Sequence, residues 1–354
     1  MEKEKIVVGL SGGVDSSVTA HLLKEQGYEV IGVTMVNFRS EDQNGDKIAG
    51  DAAKVAEYLG IEHHVIDLCT EFKKNVIDYF IGEYVSGRTP NPCVVCNRHI
   101  KWKGILEAGE KLGAQLLATG HYARIEQLPN GRYAIKNSIT AAKDQTYALY
   151  DLTQDQLART KMPLGAYTKD QIREIAEQIG LPVAKKPDSM EICFIPDKDY
   201  AKFIEENTDI KIPKGNYVDT NGKILGQHQG ITHYTIGQRK GLNLAMGHPV
   251  FVSQIRPETN EVVIGENEDI FHKTLRCSKL NAMCVPSLES GMEVLAKIRY
   301  NHKGASAIIE RVGTDELLVH FKEPQRAITP GQAVVFYQGD YVAGGGVIDA
   351  PVKE

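Results

Sequence analysis

Short β-rich runs alternate with longer helical ones from Lys5 to about Pro196, and this alternation narrows the fold more than any other feature of the 354-residue chain. "KIVVGL" is strand-like, and "SSVTAHLLKEQG" has helical spacing closed by Gly27, a natural residue just past a helix end. "YEVIGVTM", "EHHVIDL" and "AQLLATGHY" read as strands; "GDAAKVAEYLG", "EFKKNVIDYFIGEYVSG" and "CNRHIKWKGILEAGEKLG" read as helices. The pattern predicts an α/β fold with a doubly wound, mostly parallel sheet covered by helices on both faces. Ligands of such sheets sit at the carboxyl ends of the strands.

The pattern changes after "EICFIP", where Cys193 stands on a short β-like run. A short helix, "DYAKFIEEN", leads into Gly- and turn-rich sequence, and from about Thr274 the chain is all short β runs at turn-like intervals. A small central domain followed by a C-terminal antiparallel β-barrel is expected. The units are then 1–200, 201–273 and 274–354. The charged start "MEKEK" has no secretory character and no apolar run is long enough to cross a bilayer, so a cytoplasmic protein without a membrane partner is expected. A net charge of −5 argues against coating nucleic acid by bulk attraction and leaves only local basic strips, at Arg98–Lys103, Ala184–Lys186 and Gly237–Gly241.

"VVGLSGGVDSSV" follows the first strand and opens the first helix. Gly12 and Gly13 permit backbone angles closed to other residues, so their N–H groups can approach a phosphate, and Ser16 and Ser17 lie where free N–H groups and the helix dipole favour an anion. No G-x-x-x-x-G-K-[ST] is present, so no lysine of the loop reaches a terminal phosphate as in kinases and GTPases. The S-G-G-x-D-S arrangement matches the PP-loop of ATP pyrophosphatases, which hold pyrophosphate while a nucleophile attacks the α-phosphate. Magnesium would neutralise the departing charge, with Asp15 as the nearby carboxylate.

"NPCVVCNRH" places Cys93 and Cys96 three apart at a helix start, with Asn91 as N-cap and Pro92 as first helical residue. A C-x-x-C fits a metal clip, a redox pair or a carrier of reacting sulfur. A helix N-terminus favours thiolate over thiol, the state a reacting cysteine requires. Cys193 ends the same α/β unit, whereas Cys69, Cys277 and Cys284 read as small core or semi-exposed residues.

Ordered motifs over nearly the whole chain resemble those of the tRNA-specific 2-thiouridylases: "GLSGGVDSSV", "GRTPNP..CN..IK", "LATGHYAR", "KDQTYALY", "KKPDS..ICFIP", "HYTIGQRKGL", "RAITPGQAVVFY" and "GGGVI". The resemblance implies a PP-loop, HUP-like first domain and ATP-dependent thiolation of the wobble uridine of tRNA. O2 is adenylated, and sulfur then displaces AMP at C2. It implies that Gly9, Leu10, Ser11, Gly12, Gly13, Val14, Asp15, Ser16, Met35 and Gly120 hold ATP. It further implies that Cys193 carries a persulfide whose sulfur Cys96 releases, and that Asn91, Pro92 and Cys93 border the target base. His121, Lys143, Asp144, Gln145, Arg299, Tyr300 and Gln332 fall where the family meets tRNA. The sulfur donor would be a sulfur-relay protein, a cysteine desulfurase or free sulfide.

The family's frequent N-P-D-x-x-C has Cys93 in place of the aspartate, which removes an acid–base group and adds a third thiol. Cys93, Cys96 and Cys193 can hold a 4Fe–4S cluster with one iron open to sulfide, so persulfide and iron–sulfur routes both stand. Zinc on these cysteines with His99 is a third option. Two rival functions remain at this point: a PP-loop adenylating enzyme with an amine or carboxylate acceptor, and a non-catalytic RNA-binding protein with a structural metal clip.

Overall fold

A computed structural model describes residues 3–39, 44–187 and 192–352. The middle of "KKPDSMEICFIP", 188–191, lies outside the described residues. Strands β1 (Lys5–Gly9), β2 (Glu29–Val36), β3 (Glu62–Asp67) and β4 (Leu116–Ala118) are followed by a hairpin, β5 (Arg124–Gln127) and β6 (Tyr133–Lys136), and by β7 (Thr160–Lys161). The first sheet is parallel throughout, in the order β3-β2-β1-β4-β7. Period-two alternation sends Val7, Ile31, Val33 and Leu117 to one face, against Trp102 and Ile105. Ile6, Val8, Val30 and Ala118 go to the other, against Val18 and Leu23 of helix α1 (Val14–Glu25), Val55 of helix α2 (Asn44–Leu59), and Ile172. Both faces are dry, the condition for a parallel sheet. Gly27 has φ +93°, closing α1 as its position in the sequence suggests.

The segment read as turn-rich forms two of four strands in a central sheet, β8 (Gly215–Val218), β9 (Ile224–His228), β10 (Phe251–Arg256) and β11 (Glu261–Gly265), in the order β10-β11-β8-β9. The turn residues noticed there, Asp219 to Gly222, are the tip of the β8–β9 hairpin: Asp219 Oδ1 accepts the Asn221 and Lys223 amides at 2.9 Å each. Tyr217 and Val218 bury the strand.

Six further strands, β12 (Phe271–Ala282), β13 (Glu293–Lys297), β14 (Ala305–Gly313), β15 (Glu316–Arg326), β16 (Ala333–Gln338) and β17 (Tyr341–Val352), close into an antiparallel barrel through β12–β17 pairing. The β5–β6 hairpin, from the first 200 residues, extends this barrel sheet by pairing Lys136 with Tyr341. Arg132 fixes it by donating to the Met283 and Ala282 carbonyls at 2.7 and 2.8 Å.

Candidate active site

The loop after β1 stands at the carboxyl end of the parallel sheet. Gly12 has φ +64°, and a Cβ there would meet Asp51 Cβ at 2.8 Å and the Ala52 amide nitrogen at 3.0 Å. Glycine is required by both angle and space. Ser16 Oγ accepts the Ser11 amide at 3.1 Å, and Ser17 Oγ donates to the Gly13 carbonyl at 2.7 Å, so the loop is folded back on the α1 start. Gly13 occupies the N-cap without a side chain, leaving the first-turn N–H groups of a 12-residue helix facing the loop. Gly120, in the turn after β4, lies against that start: a Cβ on it would be 2.9 Å from Asp15 C and Ser16 N. Met35 is half-buried near the end of β2.

Two cations that the motif lacks arrive from elsewhere. Lys169, first residue of the helix Lys169–Gln178, donates to Asp15 Oδ1 and Oδ2 at 2.7 and 2.9 Å. Tyr122 donates its hydroxyl to Asp15 Oδ1 at 2.8 Å. Lys186 donates to the Gly12 carbonyl at 2.9 Å and to Asp51 Oδ2 at 2.8 Å, and holds the Asp51 carboxyl below its ordinary value. Lys186 belongs to the "AKK" strip, considered from the sequence only as a basic strip for nucleic acid, and here it bonds the loop; Lys169 carried no sequence signal.

Cys93 and Cys96 stand on the helix Pro92–Cys96, which continues through a π-helical stretch, Asn97–Trp102, into the helix Lys103–Lys111. π-helical stretches are frequent at functional sites. Asn91 occupies the N-cap position but makes no capping bond with its side chain. Cys93 is exposed. Cys96 is buried in a cluster with Phe72, Phe80, Phe194 and Ile195. Phe194 and Ile195 directly follow Cys193, so the two cysteine-bearing segments pack together. The 192–195 segment forms a turn, where a β-like run was expected; its burial comes from Phe194 and Ile195 rather than from strand pairing.

The thiolate expectation fails at Cys96. Burial pushes its thiol up to about 12, and the nearby Lys101 charge offsets this only in part. Desolvation also raises the thiol of Cys193, although that residue is exposed, again with Lys101 opposing. Burial here outweighs the helix dipole. His121 is pushed down to about 3 by burial, with Lys101 adding to the effect. In the turn 119–121, Gly120 backs the phosphate loop, and His121 lies in the field of Lys101, as do Cys96 and Cys193.

The residues expected to meet RNA divide into two groups. Tyr300 is exposed and donates to the Asp144 carbonyl at 3.0 Å; desolvation first, then Asp144 and Cys93 beside it, raise its phenol above the ordinary value. Lys143 is half-exposed. Asp144 and Gln145 are committed inward: Asp144 Oδ2 accepts the Ser138 amide and Gln145 Oε1 the Tyr122 amide, at 2.8 and 2.9 Å. Arg299 donates to the Arg326 carbonyl at 3.0 Å. Gln332 donates to the Thr89 and Pro90 carbonyls at 2.9 and 3.0 Å.

Among the described residues no group of three or more His, Cys, Asp or Glu side chains is gathered to hold a metal. The cysteines share one electrostatic neighbourhood, but Cys96 is packed among phenylalanines. As arranged they do not fit a 4Fe–4S cluster. His99 lines a separate cleft with Lys103, Glu110 and Arg159 that includes none of the cysteines, which removes the fourth zinc ligand. Magnesium is a different case, because it takes most of its ligands from phosphate and water and needs one or two carboxylates. Asp15, at the mouth of the phosphate loop, supplies that carboxylate only when Lys169, which holds both of its oxygens here, gives one up. Cys277 and Cys284 are buried in the barrel core, and Cys69 is half-buried.

Three family profiles match in sequence: one described as tRNA methyl transferase HUP domain over residues 4–197, its PRC-barrel domain over 201–266, and an aminomethyltransferase beta-barrel domain over 272–348. A tRNA-specific 2-thiouridylase of Lachnoclostridium phytofermentans is 61% identical over 98% of this chain and 99% of its own length. Those of Carboxydothermus hydrogenoformans and Clostridioides difficile are 52% and 50% identical, each over 98% of both chains. The solved structure of a U34-tRNA thiolase of Methanococcus maripaludis with its [4Fe-4S] cluster is 21% identical, covering 58% of this chain and 64% of that one. Its TM-score of 0.35 is too low to carry an argument. No described helix is long and apolar enough to cross a membrane.

Proposed function

The chain belongs to the tRNA-specific 2-thiouridylase family, and on that premise we propose that it uses ATP to replace O2 of the wobble uridine of tRNA by sulfur. The observations that carry this reading are the Gly-rich loop at the α1 start, backed by Gly120, and the packing of the Cys96 helix against the Phe194–Ile195 segment that follows Cys193, in the same α/β unit. The methyltransferase wording of the family profile disagrees with the relatives' name. Thiolation is preferred because methyl transfer requires neither a phosphate loop nor a cysteine group, and an amine- or carboxylate-accepting adenylating enzyme would not use the thiols.

ATP lies along Gly9 to Ser16, with Met35 and Gly120 bordering it, and the α1 N–H groups receive its phosphates. Lys169 and Lys186 balance the Asp15 and Asp51 carboxylates beside the loop, so the phosphates do not meet uncompensated negative charge there. When bound, magnesium would be held by Asp15 and would supply charge neutralisation for the leaving pyrophosphate. Uridine O2 attacks the α-phosphorus and pyrophosphate departs. Cys193, exposed to a donor, carries a persulfide, whose terminal sulfur attacks C2 while the C2–O bond breaks and AMP leaves. Cys96 then attacks the inner sulfur of Cys193, giving 2-thiouridine and a Cys96–Cys193 disulfide. Cys93, Asn91 and Pro92 border the base, which must be extruded for O2 to be reached. Tyr300 with Arg299, His121, Lys143 and the backbone around Asp144 and Gln145 form the RNA-facing rim. The units 1–200, 201–273 and 274–354 and a cytoplasmic location belong to the same reading. The sulfur donor is a relay protein or a desulfurase handing over persulfide-level sulfur; sulfide itself serves by cleaving the Cys96–Cys193 disulfide left by a turnover, which returns the Cys193 persulfide and the Cys96 thiol without an added oxidant.

The test is mass spectrometry of tRNA nucleosides after incubation with ATP and a cysteine desulfurase charged with cysteine as the persulfide-level sulfur source, with Cys93→Ala, Cys96→Ala and Cys193→Ala in parallel. Thionucleoside should vanish with the loss of Cys96 or Cys193, and AMP formation should require tRNA. AMP release that ignores tRNA, with no thionucleoside, would overturn the reading. Iron and acid-labile sulfide assays on anaerobically purified protein decide the sulfur route, full activity without iron being expected.

A further inference from the structure

The barrel grips the backbone that leads into the cysteine helix. The Thr89 amide donates to the Pro330 carbonyl at 2.8 Å, and Gln332 Nε2 donates to both the Thr89 and Pro90 carbonyls. Gly331, at φ +90°, lets the two backbones close: a Cβ there would lie 2.9 Å from Thr89 O. The grip continues on either side. Tyr147 donates to the Ala333 carbonyl at 2.9 Å. Arg88 bonds Glu83 at 2.8 Å and reaches the Ile348 carbonyl at 3.2 Å.

Pro90 and Pro92 have no amide hydrogen, so the segment 89–92 cannot anchor itself through a regular backbone ladder. Its carbonyls need a donor from outside, and Gln332 supplies one to two of them at once. A residue whose only work was to reach RNA would not direct its amide donor into the protein. We infer that Gln332 is a positioning residue: through Thr89 and Pro90 it fixes the helix start that carries Cys93 and Cys96 relative to the phosphate loop. The barrel thereby acts on the sulfur site through the backbone, in addition to offering surface to RNA. This inference rests on the thiolation reading for its kinetic consequence, though not for its structural one.

The test compares wild type with Gln332→Met, which keeps the volume and removes the donor, and with Gln332→Glu, which faces the carbonyls with a carboxylate. Amide hydrogen exchange of the free protein should accelerate about tenfold at Thr89 in the Met variant, the order expected for losing neutral hydrogen bonds, and more in the Glu variant. Exchange across α1 should not change, which separates a local release from general loosening. In tRNA thiolation, kcat should fall about tenfold, with KM for tRNA and ATP within about twofold. A raised KM for tRNA, with kcat and Thr89 exchange as in wild type, would make Gln332 an RNA contact alone and overturn the inference. Should wild type produce no thionucleoside, the functional reading fails, but Thr89 exchange still decides whether the grip exists.

Discussion

Lys169 and Asp15 are 154 positions apart in the chain, yet the lysine ammonium meets both carboxylate oxygens, at 2.7 and 2.9 Å. Lys169 is the more enclosed partner, its side chain 11% exposed against 32% for Asp15. The pair stands where α1 begins, so a phosphate entering the loop meets a carboxylate whose charge is already balanced. Lys169→Met would leave that anion uncompensated and repel the triphosphate. ATP affinity should fall about tenfold or more, the scale of a charge-assisted hydrogen bond, whereas Tyr122→Phe should cost only a few-fold. Isothermal titration of the free protein with ATP and magnesium measures both. Unchanged affinity in Lys169→Met would restrict the pair to fastening one helix to another.

Gly120→Ala tests the same region by volume. The added methyl would stand 2.9 Å from backbone atoms of Asp15 and Ser16, which cannot swing aside as a flexible side chain can. The α1 start must move, and ATP binding should be lost while circular dichroism shows the fold retained. An alanine variant that binds ATP normally would mean that the turn 119–121 yields instead, and that it does not hold the loop.

Cys96 should be the slowest of the three site cysteines to alkylate. With its thiol pushed up to about 12 by burial, its thiolate fraction at neutral pH is very small and grows tenfold per pH unit. Iodoacetamide labelling read peptide by peptide between pH 7 and 9 should modify exposed Cys93 well before Cys96. The same raised value stabilises the fold below the ordinary thiol range near 9 and loses that contribution as pH climbs toward 12. Rapid labelling of Cys96 at pH 7 would show that the phenylalanine cluster opens readily.

What could be read from the sequence was what depends on near neighbours. The parallel sheet follows from periodicities of two and 3.6 within each run, and the phosphate loop from glycines set between a strand and a helix. The β5–β6 hairpin shows the limit: its barrel partner Tyr341 lies 205 positions beyond Lys136, and no local pattern announces that pairing. Lys169 and Lys186 are ordinary lysines until the fold delivers them to Asp15 and Gly12. Cys96 reverses the expectation drawn from its helix start, because Phe72, Phe80 and Phe194 decide its solvation and none of them is near it in sequence. Gln332 came to notice through a family resemblance as an RNA contact; its bonds to Thr89 and Pro90 exist only between domains.

His121 offers a measurement of how closed the junction between the two halves is. Its ring lies 5.4 Å from that of Trp102, its Nδ1 is 2.9 Å from Thr119 Oγ1, and burial with the Lys101 charge takes its value down to about 3. In the unfolded chain the ring protonates near pH 6.5. Between these values the unfolded chain binds a proton that the folded site refuses, so this group's contribution to stability, present above 6.5, is lost as pH falls toward 3. His121→Gln removes the difference. Its melting temperature should therefore drop less than that of wild type between pH 7 and pH 4. At neutral pH the imidazole stays uncharged, so thiolation rates between pH 6 and 8 should show no inflection that disappears with this substitution. Equal acid slopes in the two proteins would mean that water and protons reach the ring freely, and that Lys101 acts on the cysteines across an open cleft.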